Sequence, residues 1–223
     1  MISPRSVFIA NVNPGRLSTD FVRSLLDLLE YDRENMHRVG ALHLHKSGPD
    51  LAVSRNDTVR MFLSTHCEWL LQIDSDMAFP EAVLDRMNVG TISDQQDRLI
   101  IGGLCPILQF VDMLGKPGRQ HRVVSNGYWW EGLYLGVEEP DHAPSKHLPR
   151  SPKVQREPPP KLKHLRVIPA DGVGAAFLLV HRKAFELMHD KLPFPHWFGS
   201  VYFATDQTGE DLGFCIRAKE CGI

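Results

Sequence analysis

Two aspartates one residue apart, Asp74 and Asp76, interrupt an otherwise apolar stretch, LLQIDSDMAF (70–79). In extended backbone, side chains two positions apart point the same way. Carboxylates held that close repel, and each is costly near a core unless something positive lies between them. A divalent cation answers both problems. Hard carboxylate oxygens suit Mn²⁺ or Mg²⁺, ions that keep open positions for phosphate oxygens. The competing account is a solvated acidic turn that caps a helix starting near Pro80.

A second acidic pair, Glu210–Asp211, follows Gly209. Acids in a first helical turn are stabilised by the helix dipole, and that alone explains them. The chemical alternative is a carboxylate that takes a proton from an attacking hydroxyl. A third stretch, ADGVGAAF (170–177), carries Asp171 ahead of Gly172 and Gly174. Glycines allow close backbone approach to a ligand, or tight packing before a buried strand. The pattern is not a dinucleotide fingerprint, since no G-x-G-x-x-G follows the first strand, and no phosphate-binding G-x-x-x-x-G-K-[ST] occurs.

The elements around these residues alternate between strand and helix. Strands are expected at 6–12, 39–45, 68–73, 98–104 and 175–180. Helices are expected at 18–31, 53–66, from 79 to 88, after 180 to 188, and at 209–222. Phe21, Leu25, Leu28 and Leu29 share one face of the first helix, with Ser18 or Thr19 as its N-cap. Val59, Phe62 and Leu63 face inward from the second. Pro80 suits a first helical turn, and Gly222 suits a C′ cap. This rhythm predicts an α/β sandwich with a mostly parallel sheet. Ligands of such sheets bind at the carboxyl ends of the strands, where Asp74 and Asp76 fall.

The rhythm breaks after the fourth strand. Residues 126–137 read as an aromatic hairpin. Residues 138–166 hold seven prolines, seven Lys or Arg and four acids, and no apolar period. They read as a solvated insertion, or as a lid or contact for an acidic partner.

At 223 residues, 43% hydrophobic and 23% charged, with a net charge of −2, the chain is expected to form one domain over 1–223. That charge leaves no global footprint for nucleic acid or anionic membranes. Cys67, Cys105, Cys215 and Cys221 form no C-x-x-C pair and read as reduced, buried thiols. Neither a signal peptide nor a membrane-spanning run is evident, so a cytoplasmic protein is expected.

Taken in order, VFIANVNPG, SRNDTVRMFL, WLLQIDSDMAFP, ADGVGAAFLLVHRKAFE and GEDLGFCIRAKECGI resemble a GT-A glycosyltransferase of the family-2-like kind found in bacteria and bacteriophages. The resemblance covers most of the chain outside about 105–166. It implies a Rossmann-like three-layer α/β/α sandwich, in the host cytoplasm if phage-encoded. It implies that Ala10, Asn11, Val12 and Asn13 hold the base and ribose of a nucleotide-diphosphate sugar. Arg55 and Asn56 would lie near the diphosphate and base. Asp74 and Asp76, with Ser75 between them, would bind Mn²⁺ or Mg²⁺ across the two donor phosphates. Asp211, rather than Glu210, would be the base of an inverting transfer. Asp171, beside Gly172, would contact donor sugar or acceptor, and Trp197 and Phe198 would stack on a sugar face or pack in the core.

Related enzymes often carry a metal-binding histidine on a strand after the late acidic helix, which would fall beyond Ile223. Either the sequence is truncated, or the metal is held by aspartates, phosphates and water. The acceptor (glycan, lipid, protein or modified DNA) is not legible. Two other readings of the residues stay open: a nucleotidyltransferase, for which NVNPGRLSTD offers few phosphate-gripping groups, and a non-catalytic nucleotide- or sugar-binding module.

Overall fold

A computed structural model of the chain describes residues 1–91, 98–103, 105, 107–112, 119–124, 127–131, 153–155, 170–192, 196–202 and 207–223. The elements in chain order are β1 (Val7–Asn13), α1 (Thr19–Glu34), β2 (Val39–Lys46), α2 (Leu51–Leu63), β3 (Trp69–Asp74), α3 (Val83–Thr91) and β4 (Ile100–Gly102). There follow β5 (Ile107–Asp112), β6 (Arg119–Val124), β7 (Gly127–Glu131), β8 (Lys153–Gln155), β9 (Gly172–Val173), β10 (Phe177–His181), α4 (Arg182–Lys191) and α5 (Glu210–Glu220).

The chain forms a mixed α/β fold around a five-stranded sheet of order β2-β1-β3-β10-β4. β1 pairs in parallel with both β2 and β3, and β10 runs antiparallel to β3 and β4. The period-2 alternation of a strand sends successive side chains to opposite faces, and each central strand here is apolar on both. Val7, Ile9, Trp69, Leu71, Ile73, Phe177 and Leu179 pack with α1 and α3 on one face. Phe8, Ala10, Leu70, Leu178 and Val180 pack with α2, α4 and α5 on the other. Each large side chain buried this way contributes about 1.5–3 kcal/mol, so the two apolar layers hold the sheet between its helices.

Local chemistry sets the helix ends. Ser18 accepts from the Phe21 amide to start α1, and Asp50 accepts from the amides of Ala52 and Val53 to start α2. α5 ends with Gly222 at φ +77°, where the Gly222 and Ile223 amides bond back to Lys219 and Ala218. That is the Schellman closure its glycine suits. Arg182, at the start of α4, donates to the carbonyls of Phe62, Leu63, Thr65 and Cys67, and its guanidinium lies 4.9 Å from the Phe62 ring centre. It thereby satisfies the orphan carbonyls at the end of α2.

Several expectations change. The helix after the aspartates begins at Val83, so Pro80 precedes it rather than sitting in its first turn. The aromatic segment does not close on itself over its described residues: β7 pairs with β8 and β9. The hairpin of β5 and β6 was not anticipated, because RQHRVV has little apolar alternation to announce a strand. The remainder of 126–137 and most of the proline-rich segment 138–166 lie outside the described residues; the part described is the strand β8.

Gly213 marks the tightest approach between α5 and the 199 loop. A Cβ there would lie 1.8 Å from the Gly199 carbonyl oxygen. Gly213→Ala should therefore lower stability by about 1–3 kcal/mol, the usual cost of overpacking. An unchanged midpoint of urea denaturation would contradict this packing.

Candidate functional site

The side chains of β3 that point toward α2 are Leu70, Gln72 and, at the strand's last position, Asp74. Across from them α2 presents Arg55, Val59 and Phe62, spaced one helical turn apart on its inner face. Val59 and Phe62 are fully buried, and Arg55 is 3% exposed. A guanidinium so placed needs acceptors, because an unpaired buried charge is very costly. Arg55 Nη2 donates to Asp74 Oδ1 at 3.0 Å, and Arg55 Nη1 donates to Glu210 Oε1 at 2.8 Å. One side chain thus ties the end of β3 to the first residue of α5.

The first acidic pair is not arranged as strand alternation predicts. β3 ends at Asp74, and Ser75 and Asp76 lie in the turn after it. Asp74 is half-buried, whereas Asp76 is exposed. The turn is held where the Ser18 amide donates to the Ser75 carbonyl at 3.0 Å. Burial pushes the Asp74 carboxyl above the usual carboxylate range; Arg55 opposes this, and the charges of Asp76 and Glu210 reinforce it. Three carboxylates therefore act on one another beside a single guanidinium.

Two neighbours extend the site. Cys105 is buried, and burial together with the charges of Asp74 and Asp76 pushes its thiol up to about 11. The sulfur stays protonated at neutral pH beside the acidic edge. In α5, Asp211 Oδ1 accepts from the Leu212 amide at 2.7 Å. Among the described residues no cation pairs with Asp211, whereas Glu210 is held by Arg55. Burial of Cys215, with the charge of Asp211 adding to it, raises that thiol to about 11 as well.

Other expected site residues serve the scaffold. Ala10 and Asn11 have no accessible surface, and Val12 is 8% exposed. The Asn11 amide donates to the Ile73 carbonyl at 2.7 Å. Asn13 donates to Asn11 Oδ1 and the His45 carbonyl, and accepts from the Gly15 amide. The two asparagines lace the ends of β1, β2 and β3 together, so a ligand at β1 would meet the strand no earlier than Asn13.

Asn56 is likewise spent on backbone: it exchanges hydrogen bonds of 2.7 and 3.0 Å with Phe198. Trp197 and Phe198 are core rather than a sugar platform. Trp197 is 5% exposed with its indole N–H on the Phe185 carbonyl, and Phe198 stacks on Phe214 with ring centres 4.7 Å apart. Asp171 pairs with Lys219 at 2.7 Å, near the end of α5 opposite Glu210 and Asp211. Gly172 is buried in β9. His181 is half-buried: its Nδ1 accepts from the Lys183 amide to cap α4, and its ring packs edge-on against Trp69.

The structure therefore brings together Arg55, Asp74, Asp76, Glu210 and Cys105 and leaves Asp171 and Trp197 elsewhere, while the Phe198 ring packs 5.9 Å from the Arg55 guanidinium. The Arg55 bridge was missed in the sequence, although its spacing from Val59 and Phe62 placed a cation on an apolar helix face. All four cysteines are buried and no disulfide joins them, as their contexts implied. Among the described residues, no group of three or more metal-type side chains converges, and no helix is long and apolar enough to cross a membrane. The chain matches no protein-family model and no curated protein sequence.

Because the Asp74 carboxyl is raised, ionising it costs stability above its folded pKa, and that penalty disappears as pH falls through that value. Asp74→Asn should thus melt higher than the parent protein at neutral pH, with the difference shrinking on acidification. Equal melting curves across that range would contradict a strained carboxylate. Arg55→Met should destabilise. Stranding a fully buried partner costs about 3–5 kcal/mol, and less is expected here because the Asp74 and Glu210 side chains are 35% and 22% exposed. Adding Asp74→Asn to Arg55→Met should recover part of the loss.

Proposed function

We propose that the chain is a metal-dependent glycosyltransferase of the GT-A kind, moving a sugar from a nucleotide-diphosphate donor to an acceptor hydroxyl. The observation that carries this reading is the acidic edge at the end of β3, where Asp74, Asp76 and Glu210 interact and Arg55 offsets only part of their charge. An excess of negative charge at the carboxyl end of a central strand favours a cation there. The mixed central sheet between helix layers, parallel across β2, β1 and β3 with β10 antiparallel to its neighbours, is compatible with that fold.

The residues suit Mn²⁺ or Mg²⁺. Asp74 and Asp76 offer hard carboxylate oxygens, and ions of this kind are commonly held by one or two carboxylates, with phosphate and water completing the shell. Asp74 and Asp76 would hold the ion, which when bound would stabilise the charge on a departing nucleoside diphosphate. Arg55 occupies one oxygen of Asp74 and so fixes the carboxylate's orientation. It also fixes Glu210, and with it the first turn of α5 that carries Asp211.

Asp211, with no ion-pair partner among the described residues, is the group available as general base. Its carboxylate takes the proton of the acceptor hydroxyl. The hydroxyl oxygen then forms a bond to the anomeric carbon as the bond from that carbon to the donor phosphate oxygen breaks. The electron pair leaves with the nucleoside diphosphate, and the configuration inverts. Cys105, kept protonated, adds no further charge to the edge.

Two measurements test the reading. Mn²⁺ with a nucleoside diphosphate should raise the melting temperature of the parent protein, since a ligand of the native state stabilises it. It should do so little for Asp74→Asn or Asp76→Asn. In a donor-hydrolysis or transfer assay, Asp211→Asn should lower kcat by about 10²–10⁴, the range of general-base catalysis, with KM for the donor little changed. A parent protein that neither binds any nucleoside diphosphate with Mn²⁺ nor turns over a donor would sink the proposal.

A further inference from the structure

β2 is the edge strand of the sheet, and it carries two histidines two residues apart, His43 and His45. Strand alternation sends both to one face. Their partners across β1 are Ala10 and Val12, so this is the face covered by α2. Both rings are half-buried, and His43 also lies against Phe8, with ring centres 6.4 Å apart. Packing therefore limits the rotamers of the pair.

The separation of the ring nitrogens is informative. His43 Nε2 and His45 Nδ1 are 3.4 Å apart, with ring planes at 49°. At that distance the rings are within reach of a weak ring-to-ring hydrogen bond. The separation also matches another geometry: two nitrogens bound tetrahedrally to one zinc at about 2.0–2.1 Å lie about 3.3–3.4 Å apart. The neutral imidazole is the commonest protein ligand for this class of ion, and imidazole nitrogen suits zinc, nickel and copper over magnesium or manganese.

We propose that His43 and His45 form a two-imidazole chelating site for a zinc-class divalent cation on the edge strand of the sheet. Two protein ligands leave two tetrahedral positions for water or an outside ligand, so the bound ion exchanges with solvent. His45 and Asp74 both pair with Val12, one on each side, which sets their backbones two strand spacings apart, about 9–10 Å. The two donor sets favour different ions, and the variant that removes both aspartates tests whether the histidine pair binds by itself.

The inference does not depend on the transfer reaction, and its test reads the rings directly. In ¹⁵N-labelled full-length protein, stoichiometric Zn²⁺ should shift the ring nitrogens of His43 and His45, whereas Mg²⁺ should leave them in place. Competition with a chromophoric chelator should show Zn²⁺ affinity falling at least about tenfold in His43→Ala, and again in His45→Gln, because even indirect partners of metal ligands cost that much. Asp74→Asn combined with Asp76→Asn should keep the ring shifts. The proposal is overturned if Zn²⁺ leaves both rings unmoved in the parent protein. It is equally overturned if both histidine variants, folded by circular dichroism, bind Zn²⁺ as the parent does.

Discussion

Burying a guanidinium in an apolar helix face imposes a requirement that the rest of the molecule must meet. Arg55 lies on the same face of α2 as Val59 and Phe62, both fully buried, and is itself nearly so. Its two outer nitrogens must find acceptors or the helix cannot dock. The acceptors come from the end of β3 and the start of α5, and Glu210 is 155 residues away in the chain. Docking α2 therefore also sets where α5 begins, and where Asp211 stands relative to Asp74. The same bridge divides the acids. Asp74 and Glu210 are paired, while Asp76 and Asp211 have no ion-pair partner among the described residues.

Around that bridge the scaffold is tied together by side-chain hydrogen bonds and ring packing. Asn11 and Asn13 bind the ends of three adjacent strands by side-chain hydrogen bonds. Asn56 clamps the 198 backbone to α2, and Phe198 in turn stacks on Phe214 of α5. α5 is thus held by an ion pair at its first residue, a ring stack one turn later and a close approach at Gly213. Supports of this kind hold the acidic edge in place. Within it, burial raises the Asp74 carboxyl and Arg55 opposes the rise, so ionising that group costs stability.

Much of the fold was legible in the chain. The apolar runs of β1, β3 and β10 announced strands buried on both faces, and the i, i+4, i+7 spacing of α1 announced its inner side. Ser18 and Gly222 marked helix ends by chemistry that acts within a few residues. The pairing of β5 with the polar strand β6 was not legible, since a strand with little apolar alternation draws its stability from its partner rather than from pattern. The candidate site was legible only in part. Asp74, Asp76, Glu210, Asp211 and Arg55 were all singled out, but as separate elements with separate roles. Asn56 was read toward a ligand, and Trp197 and Phe198 toward either a sugar face or the core; all three are buried and bond or pack within their own fold.

The sequence by itself determined the residue types and their local order: an apolar strand ending in carboxylates, a helix opening on two acids, and caps that place each boundary. These depend on neighbours within a few positions, so they can be read along the chain. Only the tertiary structure decided which acid meets the arginine, which stays unpaired, and that the chain turns after Asp74 instead of continuing as strand. Those outcomes follow from one charge and two carboxylates being excluded from water together, and exclusion from water belongs to the packed layers, not to any single segment.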